Sequence, residues 1–181
     1  MIQKVCVYCG SSPGRGAQFM LAARELGHVL ADRGFELVYG GAHVGTMGEL
    51  ANAVLEAGGR VTGVIPKTLV DREVAHDRLT ELHVVESMHE RKETMAGLAD
   101  AFVAMPGGLG TLEEVFEIMT WAQLDLHTNP CGFLNTGRYY DLLLEFLRHG
   151  VEEGFVRPER LDALIVEERA GPLLERMETV S

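Results

Sequence analysis

The sequence predicts an α/β fold, a doubly wound parallel sheet with helices on both faces. Two observations carry that prediction. Short β-rich apolar runs alternate with amphipathic segments almost throughout, and no Pro/Ser-rich linker, low-complexity tract or short-period repeat interrupts them. Residues 1–181 are accordingly read as one domain, long enough to bury a sizeable core. Residues 5–8 open the alternation as a buried strand, followed by an amphipathic helix over 17–33. A strand at 37–39 with a helix at 46–57 forms the second unit, and 61–65 the third strand. Residues 66–81 are the longest stretch without a firm pattern, and long irregular loops in compact domains are often functional. Strands at 82–85, 101–105 and 132–134 are each followed by a helix, at 88–99, 112–124 and 139–152, with 164–166 a weaker seventh strand. In a Rossmann-like sheet of this kind, ligands collect outside the carboxyl ends of the strands, where helices present their N-termini.

Composition narrows the class. Formal net charge is −11, and the chain has three lysines, Lys4, Lys67 and Lys92. Wrapping nucleic acid requires a clustered basic surface that displaces counterions. No nucleic-acid polymer is therefore expected as a partner, and any bound phosphate belongs to a small molecule. No run of about eighteen apolar residues is present, which excludes a helical membrane span, and the opening residues lack the pattern of a secretory signal. The three cysteines, Cys6, Cys9 and Cys131, are an odd count that fits a reducing, cytoplasmic compartment. Cys6 and Cys9 have C-x-x-C spacing, but within an apolar strand rather than at a helix start that lowers a thiol pKa. Without a second metal-spaced pair, neither redox chemistry nor a zinc site is expected.

The strand-to-helix junctions carry the chemistry. After the first strand comes Cys9-Gly10-Ser11-Ser12-Pro13-Gly14, small residues that lend backbone N–H groups to a phosphate or simply make a tight turn. The second junction holds four glycines, Gly40, Gly41, Gly45 and Gly48. Its P-loop-like spacing from Gly40 to Thr46 lacks the lysine that would hold β- and γ-phosphates, which leaves a cradle for a monophosphate or a nucleotide face. At the next, Ser87 and Glu90 form a capping box that places Arg91 and Lys92 near a helix N-terminus. Cations there oppose the macrodipole, and a bound anion would offset that cost. The last junction, Pro106-Gly107-Gly108-Leu109-Gly110-Thr111-Leu112-Glu113-Glu114, sets three glycines beside a carboxylate. Its opening resembles a dinucleotide fingerprint, but Glu113 stands where the third glycine belongs, which disfavours a nicotinamide-dependent oxidoreductase. Thr111 with Glu114, and Thr46 with Glu49, also read as capping boxes.

With residues 106–114 read as PGGxGTxxE, the sequence resembles the LOG ("lonely guy") family of cytokinin riboside 5′-monophosphate phosphoribohydrolases. The resemblance covers most of the chain. It includes the opening 5–12, the glycine-rich 39–48, Pro66-Lys67-Thr68-Leu69, Met88-His89-Glu90-Arg91-Lys92, and Thr120-Trp121-Ala122-Gln123. It implies a hydrolase acting on N6-modified adenosine 5′-monophosphates, with no cofactor and no metal, that assembles as a homodimer with the active site close to the interface. Arg91 and Glu114 match the family's catalytic pair. Glu73, Arg91, Lys92, Gly108, Leu109, Gly110, Thr111, Leu112, Glu113, Glu114 and Thr120 match its substrate-contacting positions. The sequence departs from the family pattern at Ala42 and Thr46, usually Gly and Leu, and at Asn129, where a basic residue is common. Family members have often been labelled lysine decarboxylases, a chemistry that uses pyridoxal phosphate on a lysine, and no lysine here has a persuasive cofactor setting.

Breaking an N-glycosidic bond builds oxocarbenium character on the ribose and negative charge on the departing base. A carboxylate near C1′ stabilises that cation and activates water, the task assigned to Glu114. Arg91 is too basic to give up a proton and is assigned to anion stabilisation and positioning. The rival reading is a nucleotide- or cofactor-binding carrier of the same fold, which has no need of the Arg91 and Glu114 pair. The helix carrying Glu114 has apolar residues, from Leu112 to Leu124, around more than one stripe. It should be buried on more than one side, which a second subunit would accomplish.

Overall fold

The computed structural model describes residues 1–70 and 75–181. In chain order the elements are β1 (Lys4–Tyr8), α1 (Ala17–Asp32), β2 (Glu36–Tyr39), α2 (Gly45–Glu56), β3 (Val61–Pro66), α3 (Lys67–Val70), β4 (Glu81–Val85) and α4 (Met88–Leu98). There follow β5 (Ala101–Ala104), α5 (Leu109–Gln123), β6 (Cys131–Leu134), a single 3-10 turn (Thr136–Arg138), α6 (Asp141–Glu152), α7 (Pro158–Asp162), β7 (Ile165–Glu167) and α8 (Ala170–Val180). All seven expected strands form, in one parallel sheet ordered β4-β3-β2-β1-β5-β6-β7.

β1 is central and pairs on both sides, with Cys6 level with Val38 of β2 and with Phe102 of β5. Every side chain of β5 is buried, as a strand covered on both faces requires. One face of the sheet is closed by α1, α2 and α8 through Leu26, Leu30, Leu50 and Leu173. The other is closed by α4, α5 and α6 through Met95, Val115, Ile118 and Leu144. Each such side chain contributes about 1.5–3 kcal/mol by leaving water. Cys6 and Cys9 belong to opposite cores, and burial pushes the Cys9 thiol up to about 12 and Cys6 higher still. Neither forms the thiolate that redox exchange needs.

Two helix starts differ from the sequence expectation by more than one residue. α5 begins at Leu109, three residues earlier than read, because Gly108 in extended conformation serves as its N-cap. α6 begins at Asp141, after a 3-10 turn in which Gly137 and Arg138 have φ of 62° and 59°. The helices α3, α7 and α8 were not expected. Within 66–81, residues 67–70 are helical, and Ala75 makes an isolated antiparallel bridge to Ala42. Among the described residues, no helix is long and apolar enough to cross a membrane.

Candidate active site

The strand order reverses between β1 and β5, so the turns leaving these two strands diverge and open a crevice. A cleft of about 270 Å³ lies there, lined by residues 10–14 after β1, by 106–108 after β5, and by Phe19, Thr46 and Tyr139. Thr46 ties two turns together. Its Oγ1 donates to the Gly10 carbonyl at 2.9 Å and accepts from the Gly10 N–H at 3.1 Å. The N-cap of α2 is Val44, so the expected Thr46–Glu49 capping box does not form. The glycines of this second junction are closely packed. Gly40 packs against the Arg91 guanidinium and Gly45 against the backbone of Ser11, and of the junction only Thr46 reaches the cleft.

At the fourth junction two of the three glycines do face open space. A Cβ on Gly108 or Gly110 would meet nothing within 4 Å, whereas one on Gly107 would fall 2.1 Å from Thr111 Oγ1. Gly108 caps α5 without a side-chain hydrogen bond, and Thr111 lies buried inside the first turn, so the Thr111–Glu114 capping box is also absent. The first-turn N–H groups have no partner within the helix. They present the positive end of the α5 dipole beside the cleft, an arrangement suited to an anion.

Glu114 is buried just beyond the residues that line the cleft. Arg91 Nη1 donates to Glu114 Oε1 at 2.6 Å, with both side chains 5% exposed, and Arg91 Nε donates to the Val64 carbonyl at the end of β3. Burial pushes the Glu114 carboxyl above the usual carboxylate range, against the opposing pull of Arg91. Ser87 does cap α4, accepting from the Glu90 N–H at 3.1 Å, while the Glu90 carboxylate accepts from the Glu86 N–H. The cations that follow are met by the chain's own carboxylates. Lys92 Nζ donates to Glu113 and, at 3.1 Å, to Glu117, and Glu113 holds its ammonium above the ordinary value.

The remaining expected residues are dispersed. Leu109 is exposed at the rim, and Leu112 is half-buried against the α5 side of the core. Thr120 is exposed and donates to its own helix at the Phe116 carbonyl. It lies about 120° around the helix and about 9 Å along it from Glu114. Glu73 lies outside the described residues. Two residues that spacing did not single out are Tyr139, in the cleft wall, and Tyr140 behind it.

Residues 47–177 match the model of a family described as "possible lysine decarboxylase". The lysines do not fit the pyridoxal chemistry this description evokes. Lys4 pairs with Glu36 at the opposite edge of the sheet, Lys92 is bound by two carboxylates, and Lys67 does not line the cleft. Over 165 residues the chain is 50% identical to a cytokinin riboside 5′-monophosphate phosphoribohydrolase of Rhodococcoides fascians, covering 91% of this chain and 83% of that protein. Over 176 residues it is 47% identical to the cytokinin riboside 5′-monophosphate phosphoribohydrolase LOG of Oryza sativa subsp. japonica, covering 97% and 73%. The chain belongs to the LOG family. Its fold is shared more widely than LOG proteins. A molybdenum cofactor binding protein of Rippkaea orientalis superposes with a TM-score of 0.76 at 22% identity, covering 99% of this chain and 98% of that one. Identity that low carries the architecture alone, since function resides in the site rather than the fold.

Proposed function

We propose that this chain hydrolyses the N-glycosidic bond of adenosine-type nucleoside 5′-monophosphates, N6-modified ones included, releasing the free base and ribose 5-phosphate. The observation that carries this reading is the buried Arg91–Glu114 pair, set one helical turn beyond an uncapped, glycine-lined helix N-terminus. The relatives named above, at about half identity, carry the same activity in their names. The 5′-phosphate rests on the N–H groups at residues 108–111, with the dipole of α5 behind them. The C1′–N bond breaks with its electron pair leaving on the base, which takes up a proton, while water adds to C1′ and loses one. Glu114 stabilises the ribosyl cation and accepts the proton from water, a task to which a carboxyl of raised pKa is suited. Arg91 holds Glu114 in place through its guanidinium. Lys92, Glu113, Leu109, Leu112, Thr120 and Glu73 complete the proposed substrate-binding set.

A homodimer fits the surface of α5, where Phe116, Met119 and Trp121 are half-buried and Leu124 is exposed, and that of α6, where Leu142 and Phe146 are exposed. A cytoplasmic location is supported by the three free cysteines. The charge of −11 argues against a nucleic-acid partner. The test is incubation of purified protein with AMP, isopentenyladenosine 5′-monophosphate and the unphosphorylated riboside, followed by assay of free base. Release from neither monophosphate would overturn the reading.

A further inference from the structure

Two consecutive tyrosines hold the glycine-rich turn after β5 by its carbonyls. Tyr140 is buried and donates its hydroxyl to the Met105 carbonyl, and Tyr139 donates its hydroxyl to the Gly107 carbonyl at 2.6 Å. These carbonyls lie on either side of Pro106. A trans peptide unit points its C=O and the next residue's N–H in opposite directions. Anchoring the Gly107 carbonyl on Tyr139 therefore turns the Gly108 N–H to the other side of the turn. Glycine populates both signs of φ at little steric cost, so an unanchored Gly107–Gly108 peptide is free to rotate. Rotation would put a carbonyl oxygen where a donor stood, replacing attraction for an anion by repulsion.

The aim of the two rings is set by a strained turn. Arg138 has φ of 59°, a left-handed conformation that strains a non-glycine residue. Asn135 and Asp141 hold it in place. Asn135 Oδ1 accepts from the Tyr140 N–H at 2.7 Å, Asn135 Nδ2 donates to Asp141 at 2.8 Å, and Arg138 Nε donates to Asp141 at 2.6 Å. Strain over-determined in this way is found where geometry serves a site. The Tyr139 ring also packs edge-on against Phe19, at 5.9 Å between centroids, and borders the same cleft as Gly107 and Gly108.

We propose that Tyr139 is a positioning residue for the anion site, its hydroxyl locking the Gly107–Gly108 peptide with the N–H toward a 5′-phosphate. The proposal rests on the reading of the substrate as a nucleoside 5′-monophosphate. Tyr139→Phe removes the hydroxyl and keeps the ring. By calorimetry, the Kd for ribose 5-phosphate rises about tenfold, and KM for AMP rises about tenfold while kcat moves by less than about twofold, the effect of one charge-assisted hydrogen bond. Turnover of the unphosphorylated riboside falls much less, so preference for the phosphorylated substrate collapses. Tyr140→Phe, by contrast, lowers Tm and leaves that preference in place. Equal affinity of wild type and Tyr139→Phe for ribose 5-phosphate overturns the proposal, as does an equal proportional loss on monophosphate and riboside, which marks a merely structural role. The binding comparison needs no turnover, so it decides the role of Tyr139 separately from whether wild type releases base from AMP.

Discussion

Arg91 occupies the space that any side chain on Gly40 would need, a Cβ there falling 2.0 Å from the guanidinium Nη2. The glycine after β2 is a slot for a cation of the chain itself. Gly40→Ala should therefore displace Arg91 from Glu114, with an overpacking cost of about 1–3 kcal/mol. Urea denaturation should show the loss, and base release should fall with it. Unchanged stability and turnover would mean that Arg91 has another position open to it.

Glu114→Gln keeps the shape of the side chain and removes its charge. Turnover should fall by about 10²–10³-fold or more, the scale seen when one preorganised electrostatic group is lost, while the circular dichroism spectrum is retained. Near-normal turnover would reduce Glu114 to a structural partner of Arg91.

The raised pKa of Glu114 sets a sign for pH effects. Its carboxyl must be ionised to act, so the acid limb of kcat/KM should lie above the ordinary value of 4.5. Arg91→Gln removes the group that opposes the rise and should move the limb further up. Stability responds in the matching direction. The folded carboxyl holds its proton more tightly than the unfolded one, so its contribution declines as pH rises from 4.5 through the raised value. Glu114→Gln should abolish that part of the decline, as read from denaturation midpoints across the range.

The uncapped start of α5 predicts selectivity. A 5′-monophosphate should exceed its riboside in kcat/KM by at least about tenfold, since each hydrogen bond to a charged group is worth about 1.5–3 kcal/mol. Comparable values for the two would remove the phosphate from the site.

Assembly is checked by light scattering. A dimer of the 19.9 kDa chain is expected at micromolar concentration, and a charge at Phe146, exposed on α6, should dissociate it. A fully active 19.9 kDa particle would refute the dimer.

The sheet was legible because parallel strands buried on both faces are written as continuous apolar runs. Of the helices, α8 carried a readable signal in Ala170, Leu173, Leu174 and Met177, spaced on one face. α7 spans five residues, too short for any period to emerge. Capping boxes misled at Thr46 and Thr111, because a threonine three residues before a glutamate fits a helix interior as well as a helix start. Both hydroxyl residues sit inside their helices, and Thr46 bonds across to Gly10. Arg91 and Glu114 were legible as a pair through the family motif. That Lys92 is taken up by Glu113 and Glu117 was not, since those contacts join two helices that spacing alone does not relate. The Tyr139 hydroxyl likewise reaches a carbonyl 32 residues away, beyond any local pattern.

The central place of β1 has a consequence for synthesis of the chain. Its second neighbour, β5, ends at Ala104, and Asp100 ties down the backbone N–H groups of Gln3 and Lys4 at the start of β1. At the usual pace of about 5–20 residues per second, β1 leaves the ribosome roughly 5–20 s before the strand that covers its open edge. During that interval, an apolar strand with unpaired N–H and C=O groups is a template for pairing with another chain. Completion of the site follows the same clock, because Glu114 reaches Arg91 only after β5 has docked and α5 has formed behind it.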